Sequence, residues 1–152
     1  MLKTIISDTS CLIILSKINQ LNLLHKLYGE ITTTPEIAGE FGEPLPEWIN
    51  IEEVTDKLRQ QILELQIDKG ESSAIALALQ VPESTLILDD YKARKIATQL
   101  NLKITGTIGI IVKCKKVGII TTIKPILNDI KTTDFRLSNE LEQLALKEAG
   151  EI

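Results

Sequence analysis

At 152 residues and a net charge of −4, the chain is long enough to bury a substantial core and has no overall basic signature of a nucleic-acid binder. That balance weighs only lightly against a nucleic-acid substrate, because a cluster of catalytic acids can mask a local basic face. No run approaches the roughly 18 apolar residues of a membrane span, and Asp8 interrupts the apolar N-terminus without the layout of a signal peptide, so a soluble cytoplasmic protein is expected.

The first predicted strand, Leu2 to Ser7, runs apolar through Ile5-Ile6 and ends at Asp8. Ser10 reads as a helix N-cap, with Cys11, Leu15 and Ile18 following at helical spacing. Asn19-Gln20 interrupts the pattern, Leu21, Leu24, Leu27 and Tyr28 resume it, and Gly29 supplies a stop. Ile31 to Thr33 is a short β-branched strand. Thr34-Pro35-Glu36 then opens a helix with proline in its first turn and Ile37 and Phe41 on one face. The Gly42 to Pro46 loop is too short to separate domains, so one domain over residues 1–152 is expected. Ile49, Ile51 and Val54 mark a marginal edge strand, and Asp56 caps a helix to about Ile67. Gly70 reads as a break before a helix over Glu71 to Gln80, whose stripe of Ala74, Ile75, Ala78 and Leu79 allows close packing on a sheet.

Thr85 to Leu88 is a strand without polar alternation, and it ends in Asp89-Asp90. Such a strand is buried on both faces, as in a parallel sheet covered by helices. A helix follows with Ala93, Ile96, Ala97 and Leu100 inward, then a strand over Leu102 to Thr105. Helices over Thr107 to Val117, Thr122 to Ile130 and Ser138 to Ala149 complete the chain. Strands alternating with helices predict an α/β sandwich with a mostly parallel sheet, and function in such sheets lies beyond the carboxyl ends of the strands. Cys11 and Cys114 match no metal spacing and read as small buried hydrophobes in a reducing compartment. The single histidine, His25, lies in an apolar helix and reads as a packing or surface residue.

Asp8 and the Asp89-Asp90 pair therefore stand at strand ends. Glu71 precedes Ala74, Ile75 and Ala78 at helical spacing, on a core-facing stripe where a charge needs a reason. Glu40 also borders a buried face, three residues after Ile37, while Glu36 is assigned to solvent. Taken singly, each acid has a plain explanation. Glu71 complements a helix dipole for about 0.3–1 kcal/mol, Asp8 is a turn or cap acid, and Asp89-Asp90 is turn chemistry before a helix. Together they do not, because like charges about 4 Å apart repel by roughly 4 kcal/mol at an effective dielectric near 20. Acids converging on one crevice need a cation, and an all-oxygen set without His or Cys favours Mg²⁺ or Mn²⁺. Hard ions in acidic clefts chiefly serve phosphoryl chemistry.

Four stretches carry a resemblance: Ser7 to Leu12, Pro35 to Phe41, Gly70 to Ala76, and Leu88 to Arg94. Their acids, in this order, resemble the motifs of PIN domains over about Leu2 to Leu137. Thr105 to Ile110 followed by Lys113 and Lys115-Lys116 is similar to the VapC-like branch, toxins of toxin–antitoxin pairs. The resemblance implies a three-layer α/β/α fold and a Mg²⁺- or Mn²⁺-dependent endoribonuclease. It assigns Asp8, Glu40, Glu71 and Asp89 or Asp90 to the acidic site, with Asp8, Glu71 and Asp89 or Asp90 on the metal and Ser10 steadying a water. Many relatives have Asp where this chain has Glu71, and the doubled acid leaves open which of Asp89 and Asp90 coordinates. Hydrolysis without a side-chain nucleophile is implied. Lys92, Arg94 and Lys95, with Lys113, Lys115 and Lys116, are candidate RNA contacts or ordinary solvated faces. Scarce aromatics argue against base stacking as the main source of selectivity.

A receiver domain would place its acid pair early, and a phosphatase of the Asp-x-Asp type would need an acid at Ser10. The remaining alternative is a catalytically inactive PIN-like module that binds a protein. From the family alone come a cognate antitoxin covering the crevice and a homodimer, with exposed apolar positions on the two N-terminal helices as its candidate surface.

Overall fold

The computed structural model describes residues 3–152. Its centre is a five-stranded, wholly parallel sheet in the order β3-β2-β1-β4-β5, formed by β1 (Thr4–Ser7), β2 (Ile31–Thr33), β3 (Ile49–Ile51), β4 (Ser84–Ile87) and β5 (Lys103–Thr105). Leu2, the first residue of the expected opening strand, lies outside the described residues. Successive side chains of a strand point to opposite faces. Ile5 and Ile6 on β1, and Leu86 and Ile87 on β4 with Leu88 just beyond, are all buried, so helices cover both faces. The sandwich is the α/β/α arrangement expected of its alternating pattern.

Nine helices accompany the strands among the described residues, the last three after β5. They are α1 (Thr9–Lys17), α2 (Asn22–Tyr28), α3 (Pro35–Phe41), α4 (Lys57–Leu63), α5 (Lys69–Gln80), α6 (Tyr91–Gln99), α7 (Thr107–Lys116), α8 (Lys124–Ile130) and α9 (Asn139–Glu148). None is long and apolar enough to cross a membrane. α5 is buried on nearly every side from Ser72 to Ala78 and packs on β1, β4 and the flanking helices, which its small residues permit. On α8, Ile126, Leu127 and Ile130 are buried as their spacing predicts, with Ile123 just ahead of it. Glu151 ties the chain end down: its carboxylate accepts from the Thr122 hydroxyl (2.6 Å) and the Ile123 N–H (2.7 Å) and pairs with Lys115 (3.1 Å).

Several boundaries differ from expectation for local reasons. Asp8, not Ser10, caps α1, because its carboxylate takes the Cys11 N–H directly and the helix starts at Thr9. α4 stops at Leu63 rather than Ile67. Gly70 does not break the chain; Asp68 caps α5, whose first turn includes Gly70. Both cysteines are free and buried, and His25 stacks on Trp48 with ring centroids 5.1 Å apart. The large apolar residues Leu12, Ile14, Leu15, Leu23 and Leu24 of α1 and α2 are buried, while Ile13, Leu27 and Tyr28 on the same helices are half-buried. Among the exposed large apolar residues, Leu58, Ile62 and Leu65 fall together on and just after α4.

Candidate acidic cleft

β1 leads leftward through β2 to β3, and β4 leads rightward to β5, so the chain changes direction between β1 and β4. Parallel sheets open a crevice at that switch, beyond the strand ends. Ser7 pairs in register with Ile87, which places Asp8 level with Leu88 and Asp89. The Asp8 N–H donates to the Ile87 carbonyl (3.0 Å), and the Asp89 N–H donates to Asp8 Oδ2 (2.9 Å). Asp8 Oδ1 takes the Cys11 N–H (2.9 Å), so two backbone donors orient this buried carboxylate. Burial pushes its pKa well above the usual range, Asp89 and more weakly Glu71 add to the rise, and the two N–H donors oppose it.

Asp89 is clamped in turn. Its Oδ1 accepts the Thr107 N–H (2.8 Å) and its Oδ2 the Thr107 hydroxyl (2.5 Å), serving the start of α7 where Gly106 has no side chain to do so. Asp90 caps α6 through the Ala93 N–H (2.9 Å). Glu71 sits in the first turn of α5, and its carboxyl is pushed up to about 7 by burial, then by Asp68 and Asp90. Glu40, on an exposed part of α3, accepts a hydrogen bond from Thr9 and lies against Gly70. Thus Asp8, Glu71, Asp89 and Asp90 share one electrostatic neighbourhood, with Glu40 bordering it beside Thr9. Each of Asp8, Asp68, Asp89 and Asp90 meets the N-terminus of a helix, where N–H groups favour negative charge.

Ser10 stands on the first turn of α1, half-buried beside Asp8. Arg94 is half-buried, and its Nη1 donates to the Leu88 carbonyl (2.8 Å). Lys92 is exposed two residues earlier on the same helix. The lysines of α7 have partners within the chain, Lys113 over the Tyr28 ring, Lys115 with Glu151 and Lys116 with Glu148, and the exposed Lys113 and Lys116 also line the hollow that Asp89 and Arg94 line. Glu36, assigned to solvent from sequence, is half-buried instead and accepts from Gln60 Nε2 at 2.6 Å. Spacing alone could not separate it from Glu40, one turn away. Asp68 and Thr107 escaped the sequence reading. Asp68 had a signal, since an acid three residues before Glu71 has the spacing of a capping box. Thr107 lay within the Thr105 to Ile110 stretch and at a predicted helix start, but nothing in its spacing pointed to Asp89.

A model for a family of PIN domains matches residues 4–151. The chain is a PIN domain. No curated protein and no solved structure matches it. PIN domains are generally nucleases that depend on divalent metal, which agrees with an acidic cleft at the switch point. The donor set of this PIN domain is all oxygen, and Asp8 and Glu71, raised first by burial and then by neighbouring acids, are carboxylates whose charged form a hard cation would favour. By that chemistry the residues fit a divalent ion. They do not form a finished cage, because among the described residues no three Asp, Glu, His or Cys side chains stand close enough together to ligate one ion. The helix N-termini hold the acids apart, each on its own N–H donors.

Proposed function

We propose that this PIN domain is a Mg²⁺- or Mn²⁺-dependent endoribonuclease, the toxin of a type II toxin–antitoxin pair of the VapC-like branch. The observation that carries the nuclease reading is the grouping, at the β1/β4 switch, of acids from three separate stretches of the chain, two of them (Asp8 and Glu71) with pKa values raised by burial and by neighbouring acids. Asp8, Glu71, Asp89 and Asp90 would hold the metal, with Glu40 completing the acidic rim. The ion would supply Lewis-acid stabilisation of phosphate charge and activation of water for in-line hydrolysis. The chain supplies position. The Cys11 and Asp89 N–H groups fix the Asp8 carboxylate, and Thr107 fixes that of Asp89. Ser10 is placed to orient a water near Asp8, and Arg94, held on the Leu88 carbonyl, presents its remaining donors to an incoming phosphate. Lys92 adds a screened, longer-range attraction to the strand.

The lack of a finished cage favours one alternative, a catalytically inactive module whose acids persist as helix caps. The discriminating experiment is cleavage of single-stranded RNA by the purified protein, with and without Mg²⁺ or Mn²⁺, beside Asp8→Asn. Expected is metal-dependent scission, suppressed by chelator and reduced more than about a hundredfold in the variant, since an ion supplies several kcal/mol of transition-state stabilisation. Metal-independent cleavage, or equal activity in Asp8→Asn, refutes the assignment. A cognate antitoxin and a homodimer complete the proposal, and Leu58, Ile62 and Leu65 offer an open apolar stripe for self-association.

A further inference from the structure

Tyr91 follows Asp90 directly, at the first position of α6, and is 81% exposed. The residues one and two turns on, Arg94 and Lys95, then Thr98 and Gln99, share its helix face, opposite the buried Ala93 and Ala97. With Ile104 of the edge strand β5 they line a hollow of about 420 Å³. No acid lines it, although the chain as a whole is acidic. Arg94 also lines a second hollow of about 740 Å³ that contains Asp89 and Gly106, so its guanidinium stands at the passage between the acidic cleft and the Tyr91 face.

We propose that the Tyr91 face of α6 is a subsite for one unpaired nucleotide of the RNA, next to the phosphodiester that would be cleaved at the acidic cleft. The base stacks on the Tyr91 ring, Arg94 and Lys95 take the flanking phosphate, and Thr98 and Gln99 offer hydroxyl and amide groups to the base edge. The chemistry selects this ligand. An aromatic ring with no neighbour to pack on, cations without an acid among them, and an amide at one rim fit a planar, anionic, hydrogen-bonding nucleotide. A protein segment would leave the cations without partners unless it were acidic. A duplex keeps its bases stacked on one another and unavailable to the ring. The scarcity of aromatics in the sequence had argued against stacking, but one ring suffices when it stands two residues from Asp89. This subsite rests on the ribonuclease reading and extends it to how the strand is gripped.

The test measures binding and cleavage separately. Affinities of the full chain for fluorescein-labelled single-stranded oligoadenylate and oligouridylate, and for an RNA duplex of equal length, are measured with Ca²⁺ replacing Mg²⁺ and the RNA verified intact on a gel. Tyr91→Ala is expected to weaken single-strand binding by about five- to a hundredfold, the range for one base–aromatic stack. Its salt dependence should not change, because no phosphate contact is lost. Tyr91→Phe should retain affinity, Lys95→Ala should lower the salt slope by about one, and duplex binding should not respond to Tyr91. Folding is not at stake, since the side chain is exposed. Unchanged single-strand affinity in Tyr91→Ala overturns the subsite, including the case where only binding of a protein partner is lost. An equal loss for duplex and single strands also overturns it. If the first result accompanies Mg²⁺-dependent cleavage by the wild type, the nuclease reading survives alone. Tyr91-dependent RNA binding without any cleavage leaves the subsite standing and removes the nuclease reading.

Discussion

Gly70→Ala separates the function of Glu40 from the stability of the fold. A Cβ at position 70 would overlap Glu40 Oε1 and lie 2.9 Å from its Cδ, where ordinary contact begins at 3.4 Å. The Glu40 carboxylate must therefore retreat by at least 0.5 Å and lose its present hold on Thr9. It is the free end of a flexible side chain on an exposed stretch of α3, so the retreat costs little more than one solvent-accessible hydrogen bond, about 0.5–1.5 kcal/mol. Against this, alanine replaces glycine within the first turn of α5, at a position without positive φ, which is worth up to about 1 kcal/mol. The two nearly cancel. Thermal unfolding should then move by no more than about 2–4 °C in either direction, while RNA cleavage falls to the level of Glu40→Gln. A loss of more than about 3 kcal/mol would show that Glu40 cannot move aside. Wild-type activity with an unshifted Tm would show that the position of Glu40 over α5 does not matter to the reaction.

Glu71→Gln should stabilise the metal-free protein at neutral pH. The folded pKa of Glu71 lies above its ordinary value, 4.5 raised to about 7, so the folded state holds a proton that the unfolded chain releases. Stability from this group is thus full below about 4.5 and declines as pH rises towards 7, and the glutamine variant lacks that slope. Solvent screening around the half-buried carboxylate limits the gain to about 1–2 kcal/mol, read from urea titrations at pH 4.5 and 7.5; a variant less stable than wild type at both values would refute the sign. Gly106→Ala places a Cβ 2.8 Å from Arg94 Nη1 and 3.0 Å from Asp89 Oδ1. Because Asp89 is clamped by Thr107 and Arg94 by a carbonyl, neither yields freely, and about 1–3 kcal/mol of stability should be lost together with activity. Denaturant unfolding beside a cleavage assay checks this, and a neutral result on both would mean that the acid–arginine arrangement is loose.

What the sequence discloses and what it withholds follow from the range of the forces involved. The apolar strand expected at Thr85 to Leu88, the proline-started helix at Pro35 and the glycine stop at Gly29 depend on local chemistry; the helix and the stop stand where their residues place them, and the strand spans Ser84–Ile87, one residue earlier. The meeting of Asp8 with Asp89 was also accessible, because two buried strands ending in acid must be near one another if they are neighbours in a parallel sheet. The errors fall where two local solutions have similar energy. Asp8 and Ser10 can both cap α1, and tertiary context decided for the one whose second oxygen also serves Asp89. Glu36 and Glu40 lie a turn apart on one helix, and only the position of α4 draws Glu36 onto Gln60. Convergence of the carboxylates onto a single point was inferred from charge alone, and there the helices intervene. Four N-termini face the crevice and share the acids among themselves, so repulsion is met by N–H donors before any ion arrives. Under the proposed function, a metal would have to compete with those donors for the lone pairs of Asp8, Asp89 and Asp90, while at Glu71 it would relieve the repulsion with Asp68 and Asp90.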